Sequence, residues 1–140
     1  MHTKRLYFAV ILFPLSLIYG AVVFFRNLFF NLGIFSSVSF DLPVISVGNI
    51  TAGGTGKTPH VEYLAGLLKS LYKIAVLSRG YKRKSVGFQL VVEGSTVANT
   101  GDELLQIRNQ FPELIVAADR KRVHGIRQLT RQYPELDVII

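Results

Sequence analysis

The sequence predicts an α/β domain, a mostly parallel sheet flanked by helices, preceded by an apolar amino-terminal helix. Three observations carry that expectation. From residue 43 onward, short apolar runs alternate with segments of helical periodicity, the pattern of a parallel sheet with crossover helices. A glycine-rich turn lies between the first apolar run and the first helical segment. Residues 6–25 are almost wholly apolar, whereas the rest has the mixed composition of a soluble domain. At 140 residues the chain is long enough for one domain with a real core. It has no cysteine, which excludes a disulfide framework and thiol chemistry. Its 16 basic and 9 acidic residues give a net charge of +7, suited to an anionic partner such as a nucleotide, a nucleic acid or an acidic lipid. The expected organisation is a membrane-associating helix and linker over residues 1–38 and part of a catalytic domain over 39–140.

The apolar block follows Lys4 and Arg5 and precedes Arg26. It has the charged start of a secretory signal but no small-x-small cleavage site. At about twenty residues it is long enough to cross a bilayer. A crossing that kept Lys4 and Arg5 inside would put the following domain outside the cytoplasm. The reading adopted is a helix embedded in one leaflet, with both ends on the cytoplasmic side. Pro14 favours a helix start or a kink there. Ser16, Gly20, Asn27 and Asn31 then form a thin polar strip. A buried core helix is the weaker alternative, because Phe24, Phe25, Phe29, Phe30 and Phe35 present more apolar surface than so small a domain covers easily.

Residues 36–42 read as a linker, and residues 43–47, Pro-Val-Ile-Ser-Val, as the first strand. Thr51, Ala52, Gly53, Gly54, Thr55, Gly56, Lys57 and Thr58 follow. Strand, glycine-rich turn, Lys-Thr and helix are the layout of a P-loop. Gly53, Gly54 and Gly56 can adopt backbone angles that let successive N–H groups wrap a phosphate. The helix N-terminus adds partial positive charge. Lys57 can reach the outer phosphates of a nucleotide, and the Thr58 hydroxyl can ligate Mg²⁺. The strict pattern wants Gly where Thr51 stands.

Val61, Leu64, Ala65, Leu68 and Leu71 then recur at helical spacing, with Pro59 in the first turn. Residues 74–77 are a buried parallel-type strand. It leads into Ser78-Arg79-Gly80-Tyr81, and ligands of open α/β sheets bind beyond the carboxyl ends of strands. Arg79 and Tyr81 are therefore candidate substrate contacts, while Lys82-Arg83-Lys84 reads as a solvated basic loop. Residues 87–92 alternate, with Phe88, Leu90 and Val92 on one face, and a turn at Glu93-Gly94-Ser95 predicts a hairpin insertion. A helix beginning at Thr100-Gly101-Asp102-Glu103 places Leu104, Leu105 and Ile107 inward. Residues 114–117 form a third parallel strand. A helix from Asp119 turns Val123, Ile126 and Leu129 inward and Arg122, Arg127 and Arg131 largely outward, and Pro134 closes it. Residues 136–140 begin a fourth strand, and no polar turn follows, so the domain is expected to be incomplete, a piece of a longer protein. His60 reads as a solvated first-turn residue. His2 and His124 belong to no metal constellation.

An ordered set of motifs resembles the tetraacyldisaccharide 4′-kinases, the lipid A 4′-kinases of Gram-negative bacteria. The set is Pro14-Leu15-Ser16-Leu17-Ile18-Tyr19-Gly20, the run from Val47 to Pro59 that contains the P-loop, Leu77-Ser78-Arg79-Gly80-Tyr81, Gly101-Asp102-Glu103 and Asp119-Arg120. Thr51 is in keeping with that family. The resemblance implies a P-loop NTPase-like fold. It also implies transfer of the γ-phosphate of ATP, with Mg²⁺, to the 4′-hydroxyl of an acylated glucosamine disaccharide 1-phosphate, giving lipid IVA. The expected setting is the cytoplasmic face of the inner membrane. It implies that Lys57 and Thr58 hold phosphate and metal and that Asp102 is the base taking the sugar hydroxyl proton, a role that phosphoryl transfer requires of some residue. Read from its neighbours alone, Asp102 is open between a catalytic role and one that merely favours the helix dipole beside a Thr100-x-x-Glu103 capping box, and Asp119 would be an N-cap. Family members run much longer, so the chain alone is expected to be inactive. Two rivals are a membrane-associated partitioning-type ATPase, disfavoured by Ala52 where its signature lysine would stand, and a non-catalytic nucleotide-binding module. No nucleic-acid partner is expected, since the basic residues are scattered and no recognition motif accompanies them.

Overall fold

The computed structural model describes residues 2–48 and 56–140, and side chains from residue 12 onward within them. It divides into two compact units, Met1–Ser39 and Phe40–Ile140.

The first unit is built on α1, His2–Asn31. The helix runs through Pro14 instead of starting there. The Ser16 hydroxyl donates to the Phe13 carbonyl at 2.7 Å and so hides its polarity against the backbone. Residues 12–31 are long and apolar enough to cross a membrane by length and composition, and none of that window is buried in the protein. At the carboxyl end Phe35 folds back onto Phe29 and Phe30, with ring centroids 5.5 and 5.2 Å apart in edge-on geometry. Arg26 lies 5.2 Å over the Phe30 ring.

The second unit is a four-stranded sheet. Its elements are α2 (Lys57–Leu68), β1 (Ile74–Ser78), β2 (Gln89–Leu90), α3 (Val97–Thr100), α4 (Asp102–Gln110), β3 (Ile115–Ala118), α5 (Arg122–Gln132) and β4 (Val138–Ile139). The strand order is β2-β3-β1-β4. β1 pairs parallel with β3 (Val76 opposite Val116) and with β4 (Ala75 opposite Ile139). The run expected as the first strand lies beside β4 as a parallel bridge of Val44 to Ile139. Its Ile45 N–H donates to the Ile139 carbonyl at 2.8 Å.

Period-two alternation along β1 feeds two cores. Ile74 and Val76 join Ala65, Leu104, Ile107 and Phe111, the side of α2 and α4. Ala75 and Leu77 join Ile126 and Leu129, the side of α5. A strand covered on both faces is apolar at every position, which is why this run carries no polar residue before Ser78.

The structure departs from the sequence expectation at several places in this unit. The expected hairpin does not form: β2 is two residues long and pairs antiparallel with β3 at the sheet edge, and the turn at Ser95 leads into α3. The alternation also breaks, since Val91 is buried among the α2–α4 core while Val92 is exposed. Leu71 is exposed because α2 ends at Leu68, one turn earlier. Val123 is exposed, because α5 meets the sheet through Gly125, Ile126 and Leu129 instead.

Candidate functional site

The carboxyl ends of the residue 43–47 run, β1 and β4 converge between α2 on one face and α5 on the other, the crevice where open α/β sheets bind ligands. A cleft opens there, lined by Ser46, Lys57, Thr58, Ser78, Glu103 and Arg122 over an apolar floor of Val76, Leu77, Leu104 and Ile140. Of these polar groups Lys57 and Thr58 are the sequence candidates, and Ser46, Ser78, Glu103 and Arg122 join them from other segments.

Lys57 and Thr58 open α2. Gly56 precedes them at φ 78° and ψ 29°, the left-handed region that glycine enters without steric cost. The His60 ring bonds the Gly56 carbonyl through Nδ1 at 2.7 Å, so this histidine holds the turn and is not merely solvated. Thr51, Ala52, Gly53, Gly54 and Thr55 lie outside the described residues.

The Thr58 hydroxyl donates to Glu103 Oε1 at 3.2 Å, which brings the start of α2 to the start of α4. Gln106 of α4 and Glu62 of α2 are joined at 2.7 Å further along. The capping box expected around Thr100 is not made. Thr100 ends α3 and donates to the Thr96 carbonyl at 3.1 Å, leaving the Glu103 carboxylate free to face Thr58. A hydroxyl beside a carboxylate is a hard-oxygen pair that suits Mg²⁺, which accepts one or two carboxylates and completes its shell with phosphate and water.

Arg122 reaches the cleft from the first residue of α5 and donates to the Leu77 carbonyl at 2.9 Å. It was expected to face outward. The N-terminus of α5 instead abuts the end of β1 because Gly125 lets the helix close on Leu77. A Cβ at Gly125 would stand 2.9 Å from both Leu77 Cδ2 and Asp119 Cβ. Burial, and then the charge of Arg79, pull the Arg122 guanidinium below its ordinary pKa.

The other sequence candidates lie outside the lining of the cleft. Asp102 begins α4, its Oδ1 accepting the Glu103 N–H at 3.0 Å, and its side chain does not line the cleft. Tyr81 is exposed, with Lys82 Nζ 5.5 Å over its ring. Arg79 is exposed, and its charge acts on Arg122. Asp119, 2% exposed at the end of β3, does not cap α5 in the ordinary way. It accepts the Lys121 N–H at 2.9 Å and binds His124 Nδ1 at 2.6 Å. Burial alone would raise its pKa. The hydrogen bonds from His124 and Lys121 and the charges of His124 and Arg83 together outweigh burial and hold it below the usual carboxylate range. Among the described residues no cluster of three His, Cys, Asp or Glu could hold a metal, so a cation here would depend on Thr58, Glu103 and its ligand's own oxygens.

The family model for tetraacyldisaccharide-1-P 4′-kinase matches residues 8–140. The chain belongs to this family. It is 55% identical over 131 residues to the tetraacyldisaccharide 4′-kinase of Phocaeicola vulgatus, covering 92% of this chain and 36% of that protein. It is 52% identical over 130 residues to the enzyme of the same name from Flavobacterium johnsoniae, covering 93% and 38%. A crystal structure of LpxK from Aquifex aeolicus in complex with ATP superposes with a TM-score of 0.75 at 37% identity, over 92% of this chain and 42% of that one. The fold is thus that of the tetraacyldisaccharide 4′-kinases, a P-loop kinase fold, and the chain spans a little over a third of the length of the curated relatives it matches.

Proposed function

We propose that the protein containing this chain transfers the γ-phosphoryl group of ATP to the 4′-hydroxyl of a tetraacylated glucosamine disaccharide 1-phosphate, giving lipid IVA for lipid A biosynthesis. The observation that carries this reading is the meeting of Gly56-Lys57-Thr58 with Glu103 in one cleft, within a chain of this family. Thr51 to Gly56 would wrap the phosphates with backbone N–H groups, and Lys57 would neutralise the outer ones. Thr58 and Glu103 would hold Mg²⁺, which when bound draws charge from the transferring phosphoryl oxygens. Arg122 in the cleft, and Arg79, would stabilise negative charge on the phosphates or the acceptor. Asp102, one residue before the cleft-lining Glu103, would accept the proton of the attacking hydroxyl. Its present bond to the Glu103 N–H leaves Oδ2 for that task, and catalytic hydrogen bonds often form only once the substrate is bound. Tyr81 would contact the sugar.

The setting we propose is the cytoplasmic face of the inner membrane. The unburied apolar surface of α1, with Leu12, Phe13, Leu17, Ile18, Val22 and Phe24 all exposed, supports it. A one-leaflet helix keeps the phosphate-binding turn on the side where ATP is found. The chain by itself is expected to be inactive, since the rest of a kinase of this family lies beyond its span.

The deciding experiment is phosphorylation of tetraacyldisaccharide 1-phosphate by the full-length gene product with ATP and Mg²⁺, beside Asp102→Ala. Formation of lipid IVA by the wild type, with ATP binding kept and nearly all turnover lost in the variant, supports both the activity and the base. A stable wild type that binds ATP and phosphorylates no such lipid overturns the reading in favour of a nucleotide-binding module.

A further inference from the structure

We propose that Arg83 is a positioning residue for Asp102: it bolts the loop after β1 to the end of β3, and the backbone of that loop is the platform on which Gly101 seats the start of α4. The inference rests on the kinase reading above, because it assigns Arg83 a part in placing the base.

Arg83 sits in the middle of Lys82-Arg83-Lys84, where a solvated side chain is the default, yet it is 3% exposed. Its side chain runs beneath Gly80. A Cβ on Gly80 would stand 2.4 Å from Arg83 Cδ, and Gly80 has φ 67°. From there the guanidinium donates to the Ala118 carbonyl at 3.2 Å and, through Nη2, to the Gly87 carbonyl at 2.6 Å. One end of the loop is thereby tied to the other and both to β3. The loop is then joined to α3, where Lys84 N–H donates to Ala98 O at 2.7 Å and the Ser85 hydroxyl donates to Asn99 O. Gly101, the next residue but one, rests directly on it. A Cβ there would lie 3.0 Å from the Tyr81 carbonyl oxygen and 3.6 Å from Gly80 Cα. Asp102 follows immediately.

Stability alone explains this arginine poorly. Its Nε is buried without a hydrogen-bond partner among the described residues, and burial pulls its pKa down against the support of Asp119. A buried cation with an unsatisfied donor adds little stability that an apolar side chain would not. A planar fork that fixes two carbonyls at once supplies geometry. Misplacing a reacting group by about 1 Å costs on the order of 100-fold in rate.

The test is a double-mutant cycle in the full-length gene product, with Arg83→Met and Arg83→Lys each made alone and with Asp102→Ala. Wild-type turnover of the lipid establishes the kinase reading independently. The expected result is a fall in kcat of roughly 100-fold for Arg83→Met, with KM for ATP within about twofold and little further loss when Asp102 is already absent. Arg83→Lys, which keeps the charge but reaches one carbonyl at a time, is expected to lose less and to show the same dependence on Asp102. If Arg83→Met does not fold, the lysine variant decides. An equal fold-loss in both backgrounds, or none in either, overturns the role while leaving the kinase reading intact. A wild type that phosphorylates no lipid overturns both.

Discussion

Gly101→Ala should both destabilise the protein and impair the site. Gly101 has φ 91° and ψ 157°, a region essentially reserved for glycine. Forcing an L-residue there costs about 1–3 kcal/mol. The new Cβ would also sit 3.0 Å from the Tyr81 carbonyl oxygen, a backbone atom in a loop held by Arg83 that has little room to retreat. Relief of such an overpacked contact adds about 1 kcal/mol or more. The usual benefit of replacing glycine, a less disordered unfolded chain, is about 0.4–1 kcal/mol and offsets only part of this. The net expectation is a loss of about 2–3 kcal/mol. Urea unfolding of the full-length gene product reads it as a midpoint shift of about 1 M at an m-value of 2–3 kcal/mol/M. Gly94→Ala is the control, since Gly94 also has positive φ (82°) but nothing within 4 Å of its Cβ position. It should lose only the backbone share. An unchanged or raised midpoint for Gly101→Ala, or a loss no larger than that of Gly94→Ala, would refute the platform under α4.

Three further outcomes are expected. Gly125→Ala gains about 0.5–1 kcal/mol from helix propensity but must push aside Leu77 and Asp119, at about 1–3 kcal/mol; a lower melting temperature is expected, and a rise would show that α5 does not close on β1 as described. Asp119→Asn tests the lowered carboxyl pKa. Stability drawn from that ionisation is complete above the unfolded value of about 4 and is lost as pH falls through the lower folded value. The stability gap between wild type and variant should therefore close as pH falls from about 5 toward 3, and a gap unchanged over that interval contradicts the assignment. Glu103→Ala should raise the Mg²⁺ concentration for half-maximal turnover by roughly tenfold or more, and an unaltered Mg²⁺ dependence removes Glu103 from the metal's reach.

The sequence by itself determined the local elements. Apolar runs gave the strands at Ile74–Ser78 and Ile115–Ala118, helical spacing gave α2, α4 and α5, and the Lys57-Thr58 pair marked one wall of the cleft. These features are legible because each depends on residues a few positions apart, through backbone angles or the period of a single element. Tertiary structure decided which elements meet. Alternation over Phe88 and Leu90 showed a strand but could not say that its partner is β3 and not a hairpin mate, because period two is the same in either pairing. Arg122 and Glu103 reach the cleft from segments 64 and 45 residues beyond Thr58 (122 − 58 and 103 − 58), and nothing in the spacing of charged residues signals such a meeting. Arg83, one of three adjacent basic residues, is distinguished only by its burial between Gly80 and the end of β3. A side chain's environment is set by whatever the chain folds beside it, and for a charge that environment decides whether it is solvated, paired or made to hold a site in place.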